Sequence, residues 1–563
     1  MKCLCWLNTL VLLLAGIIPA TSVRSQDLHF RQRGTNPTYQ EGDWVSYSVA
    51  RFVSSIAVGR DYIYFGTRNS GITRYHQFQS RWDFPWTTSN GLADNEIWAV
   101  AYDFDTNYIW CASHRAVSYY RSTARQWQNA FKDEFGLPFH DEIVSIGIGR
   151  DKILFESRAG RQFETGKFGG PIILADKFDD NSNGELRWFG HRAQRGVKLP
   201  PFFTNRGYLF NAEGIIEDSN FRRAEVVAAV EDQWGNMWIA TWGLGAGRGD
   251  VRTLQLDMLE FGLANATVDA LTFMDDVLWM AGSKISDTNR GITAWDLDKD
   301  IWFSYEQRNI SELLSDRIHS ISLNNDTLLF STDYGLSFYY PRKGRWLTID
   351  RFDGLSGNII FDAVADDSTI WVATESGIDK ISKKSLAKKD SIRIQAISPE
   401  SLLFSEVRDL ELVENLLWAA TNDGIYVYDT SKDEGGFSVE FEGPLTETIT
   451  SISRYENEIW FGSARGLDVF DFEKREWLGV PEGRAFPNKY INVVLAAKEA
   501  VWAATNSGVM KYDRASKYWR TFTTADGLID NRVYALLLDG DYIWFGTELG
   551  LTQFYWNDPS RID

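Results

Sequence analysis

The chain alternates short apolar stretches with Gly, Asp or Asn, and the stretches are rich in β-branched and aromatic residues. "NRVYALLLD", "YIWFGTE" and "LGLTQFYW" near the carboxy terminus, and "YWRTFTT" just before them, show the pattern. Segments of this kind predict strands. "LDGD" (Leu538–Asp541) and "DDS" (Asp366–Ser368) predict hairpin turns, because Gly, Asn and Asp tolerate positive φ. The spacing of three and four that a helical solenoid needs is missing.

The pattern recurs. "YIYFGTRNSGITRY" starts at Tyr62, "YIWCASHRAVSYY" at Tyr108, "NMWIATWGLG" at Asn236 and "VLWMAGS" at Val277. "LLFSTDYGLSFYY" (Leu328), "IWVATESGIDKI" (Ile370), "LWAATNDGIYVYD" (Leu417), "IWFGSARGLDVFD" (Ile459), "VWAATNSGVMKYD" (Val501) and "YIWFGTELGLTQFY" (Tyr542) follow. "KILFESRAGRQFE" at Lys152 is a degraded copy, and "YLFNAEGIIED" at Tyr208 is a weaker one. Trp418, Trp460, Trp502 and Trp544 are each 42 residues apart. A period in the low forties with four strands per copy predicts all-β propeller blades. Each Trp is then a wedge between neighbouring blades, and the Gly after it, such as Gly508, makes the tight turn.

"DGLIDNRVYALLLDGDYIWFGTELGL" (Asp526–Leu551), "NGLADNEIWAVAYDFDTNYIWCAS" (Asn90–Ser113) and "DGLSGNIIFDAVADDSTIWVATESG" (Asp353–Gly377) resemble the two-component regulator propeller repeat. In that family the propellers are extracytoplasmic sensor modules, commonly paired and followed by a membrane helix and a histidine kinase. Free-standing double propellers of similar repeats occur in secretion and envelope assembly and lack enzymatic residues. This chain stops at Asp563, directly after a repeat, so the resemblance implies a binding module rather than direct signalling.

Two β-propellers are expected. "WVSYS" at Trp44 has the phase of a fourth strand, so the amino-terminal strand is expected to pair with the carboxy-terminal blade and leave no open edge. Two stretches fall off pattern, Ala159–Arg223 and Lys383–Ser405. They favour a nested arrangement over two rings in sequence. The segments are a leader at 1–25, a first propeller in two parts at 43–165 and 391–563, and an inserted propeller at 166–390. The outer ring then has seven blades, at Tyr64, Trp110, Leu154, Trp418, Trp460, Trp502 and Trp544.

Residues 1–25 read as an export signal: Lys2, an apolar run Leu10–Ile18, and small residues Val23 and Ser25 before Gln26. A periplasmic or secreted location follows, with no membrane-spanning segment after signal removal. Removal takes Cys3 and Cys5 and leaves Cys111, which stands where other copies have Val, Ala or Phe. The net charge of −19 becomes −21 in the mature chain, which argues against nucleic acid and anionic lipid as partners.

The six His (His29, His76, His114, His140, His191, His319) form no HExxH or zinc spacing. No GxSxG or GxxxxGK[ST] occurs, so no catalytic residue, metal or cofactor is expected. "DDNSNGELRW" places Asp179, Asn181 and Asn183 as in a calcium loop, but Gly190 stands where the closing acid belongs. A plain Asn-Gly turn competes with that reading.

In propellers the turns between second and third strands share a face with the links between blades. The dipeptides in those turns vary within a fixed frame and are the candidate ligand-binding residues: Arg68, Asn69, His114, Arg115, Asn422, Asp423, Arg465, Asn506 and Glu548. A non-catalytic scaffold that recognises a protein or glycan is expected, in sensing or in envelope assembly and secretion, with envelope or secretion-system proteins as candidate partners. The alternative is a propeller lyase or hydrolase acting on a polysaccharide or cyclic substrate.

Overall fold

The computed structural model describes residues 39–175, 186–193, 199–204, 207–211, 213–219, 221–386, 392–397, 402, 405–437, 448–481 and 489–561. The leader at 1–25 and the candidate calcium residues Asp179, Asn181 and Asn183 lie outside them. Among the described residues there are eleven sheets, nine of them four-stranded. The chain is all-β with antiparallel blades, as the alternation requires. No helix among the described residues is long and apolar enough to cross a membrane. Each sheet is named here by its residue at the repeat's anchor position, from Tyr64 to Trp544.

Side-chain alternation explains how the sheets stack. In the strand Ala500–Thr505 every residue is buried, because a sheet packs on each face. Trp502 reaches Phe545 of the next sheet (ring centroids 5.8 Å), as Trp418 reaches Phe461 (5.9 Å) and Trp110 reaches Phe155 (6.0 Å). Each of these phenylalanines directly follows the anchor residue of its own sheet. A sheet therefore offers its anchor to one neighbour and the next residue to the other. The turn after the anchor needs its glycine: Gly508 has φ +109°, and a Cβ there would lie 2.3 Å from the Phe522 carbonyl oxygen.

The strand Trp44–Tyr47 pairs antiparallel with Leu551–Tyr555, Trp44 opposite Phe554, as the fourth strand of the Trp544 sheet. The two rings stack 3.8 Å apart at 10°.

Shared cores define the order of the sheets. Buried apolar clusters join the Trp279 sheet to the Leu329 sheet, and so on through Trp371, Trp418, Trp460 and Trp502 to Trp544. A further cluster, containing Val45, Tyr47, Leu278, Trp295 and Trp544, joins the last of these back to the Trp279 sheet. The other four sheets run Trp238, Tyr64, Trp110, Leu154. Arg187–Gly190 adds to the inner edge of the Leu154 sheet, and three short strands extend the Trp238 sheet to seven strands.

This grouping corrects the nested arrangement. The Tyr64, Trp110 and Leu154 sheets place no fully buried residue in a cluster of the carboxy-terminal sheets, only the half-buried Phe84 reaching one, whereas the Trp279, Leu329 and Trp371 sheets do. The boundaries 43–165, 166–390 and 391–563 are therefore replaced by a four-sheet unit within 53–259 and a seven-sheet circuit within 270–555 plus the amino-terminal strand. The physical reason lies in Lys383–Ser405. The stretch contains the fourth strand of one sheet: the helix Lys383–Leu386 directly follows the third strand, Gly377–Ser382, and Ile394–Ile397 pairs with that strand. The chain stays in the circuit there.

The two units meet through aromatic contacts. Trp82 packs on Phe261 (4.6 Å), and Phe261 on Trp302 (5.2 Å). Arg222 bridges to Glu306 at 2.8 Å.

Candidate functional site

The turns that carry the variable dipeptides are held by the hydroxyl residue before them. Thr505 Oγ1 donates to the Gly508 carbonyl (2.7 Å) and accepts from the Ser507 N–H (2.9 Å). Thr421 does the same with Gly424 and Asp423, and Thr547 with Gly550 and Leu549. The hydroxyl takes up backbone groups that the turn leaves unpaired, so the two side chains between project from a fixed frame.

A second device shares this face. In ten of the eleven sheets the first strand carries a one-residue register shift at its start. The skipped residue varies, for example Trp98, His319, Arg408 and Tyr534, and the shift re-aims its side chain. The sequence reading passed over these positions. Their signal is a variable residue directly after a constant Val or Ile, as in "NRVYAL".

Four of the nine candidate residues come together. Arg68, Asn69, Arg115 and Glu548 line one cavity of about 660 Å³ where the two units face each other. The volume lies in the range of ligand sites. Arg68 and Arg115 occupy equivalent turns of adjacent sheets, are exposed, and make no ion pair among the described residues. Asp94 and Glu96 line the same space, as does Lys284 from the seven-sheet circuit. Lys284 binds Glu548, which also accepts from Tyr534 OH at 2.9 Å. Burial pushes the Glu548 carboxyl up, but Lys284 and Tyr534 outweigh it and hold it below its usual range. Glu548 is thereby a fixed anion rather than a proton donor.

The remaining five stand apart from this cavity. His114 Nδ1 pairs with Glu142 (2.7 Å), which Lys132 also holds at 2.6 Å, so His114 braces a turn. Asp423 accepts from Ser405 Oγ at 2.6 Å, and Asn506 Oδ1 accepts from Asn492 at 3.1 Å. These two, with Asn422 and Arg465, lie on turns of the Trp418, Trp460 and Trp502 sheets. Lys284 was not legible as a site residue, because its proximity depends on how the two units meet; Asp94 and Glu96 lie on or beside a link between blades, on the face the sequence pointed to. Cys111 is buried, and burial pushes its thiol far up, in keeping with an inert packing residue.

No family model and no curated protein matches the chain. Solved structures do. The chain is similar to the extracellular domain of the putative hybrid two component system BT4673 from B. thetaiotaomicron, with 16% identity and a TM-score of 0.47, over 90% of this chain and 70% of that one. The corresponding domain of BT3049 from the same organism matches at 17% identity and a TM-score of 0.43, over 92% and 77%. PorZ, described as an essential surface component of the type-IX secretion system of Porphyromonas gingivalis, matches at 14% and 0.46, over 90% and 74%. These are likenesses of chain path.

Proposed function

We propose that this protein is a non-catalytic extracytoplasmic scaffold that recognises a protein or glycan on its turn-bearing face, in sensing or in envelope assembly and secretion. The observation that carries the reading is the junction cavity. Variable turn residues from two separately packed units, Arg68, Asn69 and Arg115 on one side and Glu548 on the other, line a single space of about 660 Å³. Varied polar side chains on a rigid frame are the arrangement of recognition. The leader-like first 25 residues support an extracytoplasmic setting.

The test is capture from a bacterial envelope extract by the immobilised chain, beside the Arg68→Glu, Arg115→Glu double variant. A defined protein or carbohydrate retained by the parent and lost by the variant is the expected result. Equal capture by both, or none by the parent, refutes the junction cavity as the recognition site.

A further inference from the structure

The four-sheet unit holds a second cavity, of about 590 Å³, whose lining residues are distinct from those of the junction cavity. It opens where the first strands of all four sheets converge. The skipped residues of those strands, Ser54, Trp98, Val144 and Val227, all face it. Four register shifts that aim four side chains at one space are a built wall.

Two turn residues complete it, Arg158 from the Leu154 sheet and Trp242 from the Trp238 sheet. The guanidinium of Arg158 lies over the Trp98 ring at 4.8 Å. It makes no ion pair among the described residues, so its N–H donors stay available while the ring holds the charge in place. The acid at the cavity, Glu156, is already matched by Arg192 at 3.5 Å, and Arg192 is itself stacked on Trp188 at 4.2 Å. Nearby Glu142 is taken by Lys132 and His114. Among the described residues Arg158 is thus left as the unpaired charge of a cavity that His191 also lines, in a chain of net charge −19. Beside Ser54, Ser145, Ser157 and His191 the lining holds apolar groups: Val144, Val227 and the Trp242 ring, which meets Phe52 edge-on at 5.6 Å.

We propose that this cavity is a binding site for a small organic anion with a flat apolar body, a carboxylate or sulfonate on an aromatic frame. The anion meets the Arg158 edge in a paired hydrogen bond, and the body lies against Trp242 and the two valines. The site is independent of the junction cavity.

The test titrates the full chain with 1-anilinonaphthalene-8-sulfonate and with the uncharged N-phenyl-1-naphthylamine, by calorimetry and fluorescence. One saturable site for the sulfonate is expected. Arg158→Gln weakens the sulfonate at least about tenfold, the scale of one charged hydrogen bond, and leaves the uncharged probe unchanged. Arg158→Lys falls between the two, and Trp242→Ala weakens both probes. Arg158 is exposed, so unchanged melting curves accompany its two variants, whereas Trp242→Ala also loses the contact with Phe52 and melts somewhat lower. Absence of saturable binding, binding spread over several sites, or an equal effect of Arg158→Gln on both probes overturns the proposal.

Discussion

Replacing Trp44 with Ala tests how the ends of the chain are tied together. Trp44 is 2% exposed and lies in a four-residue strand, so it is the main anchor of that strand. It stacks on Phe554 at 3.8 Å and contacts Phe522 (5.8 Å), Phe545 (6.1 Å) and Tyr39 (5.7 Å). Burying an indole removes roughly 200 Å² from water. At about 25 cal/mol per Å² this is roughly 5 kcal/mol, an upper figure because the unfolded chain is partly compact. Measured Trp→Ala losses in cores run about 3–5 kcal/mol. A local loss near 4 kcal/mol is expected, which corresponds to roughly 700-fold faster amide exchange. Hydrogen exchange read by mass spectrometry reports it in the peptide Leu551–Tyr555, where the Tyr555 N–H donates to the Asp43 carbonyl at 2.9 Å. Trp44→Phe, which keeps a ring on Phe554, loses less than half as much. Gly527→Ala reaches the same indole from the other side, since a Cβ there would lie 2.4 Å from Trp44 Cγ. Exchange of Leu551–Tyr555 within threefold of the parent in Trp44→Ala would refute the reasoning.

Three further outcomes follow from the same structure. Burial, then Asp362, raises the Glu411 carboxyl from 4.5 to about 7, and burial likewise raises Asp362 and Asp409. A raised carboxyl favours the folded state in acid, so the stabilisation is full below about pH 4.5 and is lost as pH climbs through about 7. Glu411→Gln therefore gains roughly 3 kcal/mol over the parent at pH 8 and nothing at pH 4, checked by urea melts at both. Thr505→Val removes a buried hydroxyl that serves two backbone groups and costs about 1–3 kcal/mol in the same assay. Gly508→Ala costs about 2 kcal/mol or more, because it combines a left-handed φ with a clash on the Phe522 carbonyl; a melting temperature equal to the parent's would contradict this.

Much of the local design was readable from residue order. "VWAATNSGV" contains the anchor Trp502, the small residues that let sheets approach, the clamping Thr505 and the turn glycine Gly508. The phase of "WVSYS" pointed to the carboxy-terminal sheet, and Trp44 does stand opposite Phe554. The candidate site was half readable. Arg68, Asn69, Arg115 and Glu548 could be named from their turns, but nothing local distinguished them from Asn422, Asp423, Arg465 or Asn506.

What the sequence alone determined is everything set by period-two alternation and by single-residue backbone demands: strands, turns, wedges and the match of the two ends. Which sheet follows which was decided only by the tertiary structure. Many of the sheets present the same faces, an anchor aromatic on one side and an aromatic or aliphatic follower on the other, so neighbours are nearly interchangeable in local energy. The choice falls to how the cores connect around the circuit, and that is a property of all the sheets together. The same connection brings Lys284 onto Glu548, 264 residues away, and so makes the junction cavity that the isolated repeats do not contain.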